Sequence, residues 1–409
     1  MSDAFDVRTH CLVELRNYAH LAAAYGDDFA AAAMRKLQLC THLWGGSVFV
    51  IGSHCFLVSL AQLPHEERPL IALIERWQCA LFMTALNFGG VTALPAVTVE
   101  AVSVSSVGLT DGCLRYPDEL ERHVAPLSLP PVCYGKRWAL SYERDMEVAL
   151  TFYRALAQGQ ANLVFQPIVQ HGAPSSVLYQ EALVRLDTGL SQSNSGPAQV
   201  VHVLERLGLV RVLDHAVMMA VVKRLEIDPF IQLGCNISAQ SLSSDALWES
   251  LIERLVINPD VAARLTLEIT ETAPLSNFDA ACIFVRRLQK TGCRIALDDF
   301  GVGHSSLAFA NAINPHVIKI DSTYVHAARS DLSAADRLRK LVAFCQTLAP
   351  YVVAEGIESA DDIELAAVAN IRWLQGYCIE RPHPLKPQVD LCVFYEKETA
   401  LWGGAYEFL

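Results

Sequence analysis

From Leu163 onward, short apolar runs alternate with amphipathic stretches at near-regular intervals. The runs are rich in Val, Ile and Leu: LVFQPIV, VLYQEALVRL, IQLGCNIS, LTLEITE, RIALDDF, VIKID, YVVAEGIE and RWLQGY. Between most of them apolar residues recur at helical spacing, as in Ala198–Arg224, Phe278–Lys290, Ala334–Thr347 and Asp361–Ala369. Strands separated by helices in this way, over about 250 residues, predict an α/β fold of the (β/α)8 TIM-like barrel type. Upstream, Glu143–Ala157 has helical spacing and leads into the barrel. Prolines in APLSLPP (125–131) interrupt the pattern and mark a linker. The expected organisation is a smaller α/β domain over 1–130, a linker over 131–145 and the barrel over 146–409.

Composition narrows the function. The 409 residues are 52% hydrophobic and 19% charged without a long charge run, which predicts folded globular domains. The opening MSDAFDVRTH lacks a basic segment followed by an apolar one, and no apolar stretch is long enough for a bilayer, so neither leader nor membrane anchor is expected. Twelve cysteines lie scattered with no C-x-x-C pair, the expectation for reduced thiols in a cytoplasm. A formal charge of -12 disfavours polymeric nucleic acid, which is held mainly by Lys and Arg. A small anionic ligand stays compatible if metal ions supply positive charge.

The chemistry lies at the ends of the apolar runs. Glu181, Asn236, Glu268, Asp298 with Asp299, Lys319, Glu355 and Gln375 each stand where a run finishes. Carboxyl ends of barrel strands share one face, where active sites sit, so these groups are expected to converge. Glu181, Glu268, Asp298, Asp299 and Glu355 cannot share a cleft without cations. Oxygen donors and one amide, with no thiolate, select hard ions, Mg²⁺ or Mn²⁺. Adjacent aspartates suit a two-metal site: Asp298 would bridge ions about 4 Å apart while Asp299 serves one of them, activating water against a phosphodiester. The plain alternative for Asp299 is a helix cap. Lys319, ending an apolar strand, would point into the cleft and assist the attacking water or stabilise developing charge, the alternative being a salt bridge to Asp299 or Glu355. Arg185 shares a strand face with Glu181 and suits a phosphate oxygen.

The segments YQEALVRL, CNIS, LEITE, IALDDFG, VIKID, VVAEGIE and LQGY, with FQPIV before them, resemble the ordered motifs of the EAL-type cyclic-di-GMP phosphodiesterases across roughly Glu143 to Phe394. The resemblance implies a barrel whose first strand is antiparallel and cleavage of cyclic di-GMP to linear pGpG. It further implies one ion on Glu181, Asn236, Glu268 and Asp298, and a second on Asp298, Asp299 and Glu355. Lys319 would contact the nucleophilic water, with Asp299 and Glu355 also in the catalytic set. Gln166, Leu183, Arg185 and Gln375 would line the substrate, Glu271 would brace the loop after the aspartates, and Glu358 would support the site. In that loop Val302 and His304 depart from the family pattern, which bears on regulation rather than chemistry.

The first domain shows a fainter likeness. VELRNYAHLAAAYGDDFAAAAMRKLQ resembles the start of a GGDEF-type diguanylate cyclase domain, and VFVIGSHCFLVSL falls where its hairpin would lie. Gly52-Ser53-His54-Cys55-Phe56 replaces Gly-Gly-Asp-Glu-Phe, and Arg16 stands where a metal-binding aspartate would be. Leu43 and Gly46 fall where the inhibitory Arg-x-x-Asp pair would be. A degenerate domain that regulates or dimerises is therefore expected. The whole chain reads as a cytoplasmic phosphodiesterase for cyclic di-GMP, a homodimer with scope for a regulatory protein partner. The competing readings are a non-catalytic cyclic-di-GMP receptor and a protein-interaction module that uses no nucleotide.

Overall fold

The structure, a computed structural model, describes residues 10–60, 67–102, 108–110, 113–115, 127, 135–186, 197–243, 245–270, 275, 277–302, 307–387 and 391. The N-terminal unit runs β1 (His10–Leu15), α1 (Tyr18–Tyr25), α2 (Asp27–Leu43), β2 (Gly46–Val50), β3 (Cys55–Leu60), α3 (Glu67–Phe82), the short pair β4 (Leu86–Phe88) and β5 (Val91–Ala93), and β6 (Val97–Val102). A further short pair, β7 (Gly108–Thr110) and β8 (Cys113–Arg115), follows. Strands β2, β3, β1 and β6 form, in that order, one antiparallel sheet. Its Cys11, Val13 and Val99 are wholly buried on one face, while Leu12, Leu57 and Val102 form a smaller buried cluster on the other.

Helix α4 (Lys136–Ala157) joins this unit to the barrel. The sequence predicts a linker to residue 145, yet the chain is helical from Lys136, directly after Gly135. The reason is packing. Tyr142, Met146, Ala149, Leu150, Tyr153 and Leu156 recur at three- and four-residue spacing and are all buried, so the helix has an apolar stripe to cover well before residue 146. Tyr142 stacks with Trp138 and meets Tyr25 edge-on, while the Tyr153 ring meets Phe82 edge-on at 4.8 Å. One continuous apolar core consequently runs from β1 through α4 into the barrel.

The barrel comprises β9 (Ala161–Gln170), β10 (Ala173–Leu186), α5 (Pro197–Leu207), α6 (Val210–Ile227), β11 (Leu233–Ser238), α7 (Ala246–Ile257), α8 (Pro259–Ala262), β12 (Leu265–Thr270), α9 (Phe278–Lys290), β13 (Arg294–Phe300), α10 (Leu307–Ile313), β14 (Val317–Ile320), α11 (Ser322–Ala328), α12 (Leu332–Leu348), β15 (Tyr351–Ala354), α13 (Ala360–Val368) and β16 (Trp373–Leu374). Every predicted strand is present, and β9 to β16 close on themselves. Pairing is parallel from β10 round to β16, whereas β9 runs antiparallel to both of its neighbours. The antiparallel first strand follows from a tight turn, because Gly172, at φ +74°, lets β9 double back directly into β10.

The predicted helix Ala198–Arg224 is two helices. Gly208, at φ +71°, follows the last residue of α5, and α6 starts two residues later. Inside the barrel Ile168, Leu178, Tyr179, Ala296, Val317, Val353 and Trp373 pack into an apolar plug. Polar strand ends sit above it.

Candidate active site

Strand register brings the polar ends together. Asn236 on β11 lies directly beside Glu268 on β12, and Glu181 on β10 lies beside Gly234. The side chain of Glu181 accepts from Asn236 Nδ2 at 2.7 Å and from Gln375 Nε2 at 2.6 Å. Lys319, 1% exposed, sits at the centre. Its Nζ stands 3.1 Å from Glu181 Oε2, 2.5 Å from Glu268 Oε2, 3.1 Å from Asp298 Oδ1 and 2.8 Å from Glu355 Oε1. The alternative expected for Lys319, a salt bridge to Glu355, is present, and Glu181, Glu268 and Asp298 share the ammonium.

One ammonium cannot neutralise four carboxylates, three of them buried and Glu355 half-buried. Burial, then the Glu181 charge, pushes the Glu268 carboxyl far above the usual range. Burial, then Asp298, does the same to Glu355. Burial raises Asp298, and burial followed by the charge of Asp298 lifts Asp299 to about 6. Glu181 goes the other way: burial opposes its charge, but Lys319, Gln375 and Asn236 together outweigh burial and lower it. Burial also works against the Lys319 ammonium, yet the surrounding carboxylates overcome it and hold the group charged.

Such a cluster suits cations. Glu181, Glu268 and Asp298 each bring an oxygen within 4.8 Å of the others, and so do Asp298, Asp299 and Glu355, with Asp298 common to both groups. Among the described residues, Asn236 Oδ1 and Glu268 Oε1 are buried and find no hydrogen-bond partner, in want of a ligand. The adjacent Cys235 is no rival donor: its thiol faces Met218 Sδ at 3.4 Å, and burial raises its pKa far above the usual value. Hard oxygen donors without sulfur fit divalent ions of the magnesium class. Asp299 reaches the group through a left-handed backbone, φ +52°, a conformation uncommon for a side-chain-bearing residue and typical of functional turns.

The remaining predicted residues fall at different distances from this centre. Gln375 is buried within it. Gln166 is buried in β9 opposite Glu181, and its Nε2 donates to the Glu380 carbonyl at 2.9 Å. Leu183 and Arg185 are half-buried further along β10, and Arg185 donates to the Val184 carbonyl at 2.9 Å. Glu358 is exposed and pairs with Arg329 at 3.1 Å. Glu271 and His304 lie outside the described residues, and Val302 is exposed.

Sequence reasoning passed over two neighbours. Tyr179, two residues before Glu181, is fully buried beneath the carboxylates, and its hydroxyl finds no partner among the described residues. Gly234 makes room for them: a methyl group there would stand 2.5 Å from the Tyr179 ring and 2.6 Å from Glu268 Oε1. The signal available was the glycine itself, which interrupts an otherwise apolar strand.

Residues 150–382 match the EAL domain family. The chain belongs to that family. Among curated EAL relatives, the cyclic di-GMP phosphodiesterase PdeB of Shewanella oneidensis is 27% identical over 266 residues, 64% of this chain and 31% of PdeB. The cyclic di-GMP phosphodiesterase NbdA of Pseudomonas aeruginosa is 28% identical, over 65% of this chain and 34% of NbdA. The chain thus spans about a third of the length of these relatives. The solved PaMucR phosphodiesterase, in complex with c-di-GMP, is 28% identical, with a TM-score of 0.50 over 58% of this chain and 98% of that one. The family match runs from within α4 through the barrel.

Proposed function

We propose that this EAL chain hydrolyses cyclic di-GMP to linear pGpG with two divalent ions, Mg²⁺ or Mn²⁺. The observation that carries the reading is the convergence of Glu181, Asn236, Glu268, Asp298, Asp299 and Glu355 on the buried Lys319. Glu181, Asn236, Glu268 and Asp298 would hold one ion, and Asp298, Asp299 and Glu355 the other. The ions would supply charge neutralisation for the phosphodiester and a lowered pKa for the attacking water.

The chain's own groups do the rest. Lys319 orients the water and offsets charge developing on the phosphorus-bound oxygens. Of Glu355 and Asp299, the half-buried members of the cluster, Asp299 would take the one proton the water gives up on attack, while Glu355 stays paired with Lys319. Gln375 and Asn236, together with Lys319, lock the Glu181 carboxylate in one rotamer through three hydrogen bonds. Gln166, Leu183 and Arg185 would line the substrate, with Glu271 and Glu358 as outer support.

The N-terminal unit, residues 1–130 in this reading, is inferred to be a degenerate GGDEF-like domain in a regulatory or dimerising role. Its chain order of strand, two helices, hairpin, helix, short strand pair and strand supports this, and so does a β2–β3 turn that carries Ile51, Gly52, Ser53 and His54 without a carboxylate. A homodimer acting in a cytoplasm, open to a regulatory partner, completes the proposal. Among the described residues no helix is long and apolar enough to cross a membrane.

The test is Glu181→Ala in the full chain, assayed by chromatography of the nucleotide products. Turnover should vanish with the metal ligand, and near-normal turnover would refute the assignment.

A further inference from the structure

Directly after Asn236, strand β11 ends at Ser238 and the chain enters a single 3-10 turn, Ala239–Ser241. Buried side chains of α5 and α6 hold this turn from behind. Asp214 Oδ2 accepts from the Ser238 backbone N–H at 2.9 Å and from Ser241 Oγ at 2.6 Å. Glu205 Oε1 accepts from Ser238 Oγ at 2.7 Å, and the Glu205 backbone carbonyl accepts from Gln240 Nε2 at 2.9 Å. Arg211 donates to the Gln240 carbonyl at 2.8 Å and to Ser243 Oγ at 2.9 Å.

Satisfying a turn does not require two carboxylates taken out of water, since serine or asparagine would supply acceptors at a lower desolvation penalty. What the arrangement adds is rigidity next to Asn236. An amide is the weakest donor in the cluster: it has no charge to draw it toward a cation, its Nδ2 is committed to Glu181, and one oxygen, Oδ1, is left to act. Its usefulness depends on where the backbone puts it.

We propose that Asp214 is a positioning residue, which fixes the end of β11 through Ser238 and Ser241 and so aims the Asn236 amide oxygen at the metal site. This rests on the phosphodiesterase reading, because it needs a cation beside Asn236. Outer partners of metal ligands commonly change affinity by about 10- to 100-fold when removed.

The experiment titrates the full chain with Mn²⁺ in the absence of nucleotide, by calorimetry, and measures cyclic-di-GMP turnover alongside. Asp214→Ala should weaken Mn²⁺ binding by about tenfold or more and lower kcat, while KM for the nucleotide changes little. Asp214→Asn, which keeps an acceptor for both donors, should recover most of that affinity. In the Asn236→Ala background, Asp214→Ala should have almost no further effect, because its whole contribution passes through the amide. A folded Asp214→Ala chain with wild-type Mn²⁺ affinity, or an equal loss in the Asn236→Ala background, overturns the proposal. Should Asp214→Ala fail to fold, Ser241→Ala removes one hydrogen bond to Asp214 without touching its packing. It should weaken Mn²⁺ binding by about threefold, and wild-type affinity would overturn the proposal as well. A wild-type chain that binds no Mn²⁺ would overturn the phosphodiesterase reading and the positioning role together, whereas normal wild-type binding with unchanged variants removes only the latter.

Discussion

Replacing Gly234 by alanine would force a methyl group against the Tyr179 ring and Glu268 Oε1, so one of them must move. Tyr179 is wedged in the apolar plug and Glu268 is wholly buried, so neither has free space to enter. Gly234→Ala should therefore destabilise the fold by about 1–3 kcal/mol. It should also weaken metal binding, which thermal melts with and without Mn²⁺ would show as a smaller metal-induced rise in Tm. Lys319 makes a different prediction. Lys319→Ala should lower kcat by about 100-fold or more while binding of the nucleotide changes far less. A pure binding defect would mean that the lysine only places the substrate. At this scale the carboxylates and Lys319 were legible from sequence because each is a polar residue ending an apolar strand. Gly234, Tyr179 and Asp214 were not. The roles of Gly234 and Tyr179 depend on which residue lies beside which across strands, and that of Asp214 on how α6 packs against the end of β11, neither of which a single sequence prints.

Between elements, the contact most open to test is α6 against the N-terminal unit. His215 on α6 is buried, with Nε2 3.4 Å from Glu75 of α3, and the Asp245 charge favours its protonated form. Burial outweighs the favourable charge and lowers the His215 pKa from 6.5 to about 4. Between those values the unfolded chain binds a proton that the folded chain does not, so this residue's contribution to stability falls as pH falls from 6.5 toward 4. The full effect would be about 3 kcal/mol. His215→Gln, which stays neutral, should flatten the decline of Tm across that interval relative to wild type, and parallel curves would contradict the assigned burial. The elements themselves were well anticipated in the barrel, where α9 spans the predicted residues Phe278–Lys290. The α5–α6 break escaped because apolar spacing continues across Gly208, and only its positive φ separates the two helices.

For the whole molecule, the shared core argues against two independent units on a loose tether. Phe82 of the N-terminal unit packs on Tyr153 of α4, whose hydroxyl donates to the Leu209 carbonyl at the start of α6. Phe82→Ala should cost about 3–5 kcal/mol. Because the cavity lies in a core common to both parts, calorimetry should show one transition shifted downward. A split into two transitions, with the barrel's melting unchanged, would mean that the units fold separately. The sequence concealed this because prolines at 125–131 suggest a break, while the apolar stripe that closes it begins only at Tyr142. The proposed loss of cyclase chemistry is testable at the same scale. Changing Ser53, His54 and Cys55 to Gly, Asp and Glu should create no cyclase activity while Arg16 remains, and product formation from GTP would contradict the inferred degeneracy.

The central claim is that a cluster of carboxylates around Lys319 works as a metal-dependent phosphodiesterase. The most direct measurement is cyclic-di-GMP turnover by the purified full-length chain with Mg²⁺ or Mn²⁺, beside the same chain carrying Asp298→Asn, the residue common to both proposed ion sites. The account predicts metal-dependent appearance of pGpG from the wild-type chain and its loss in the variant. Tight nucleotide binding without turnover would contradict it and make the protein a receptor.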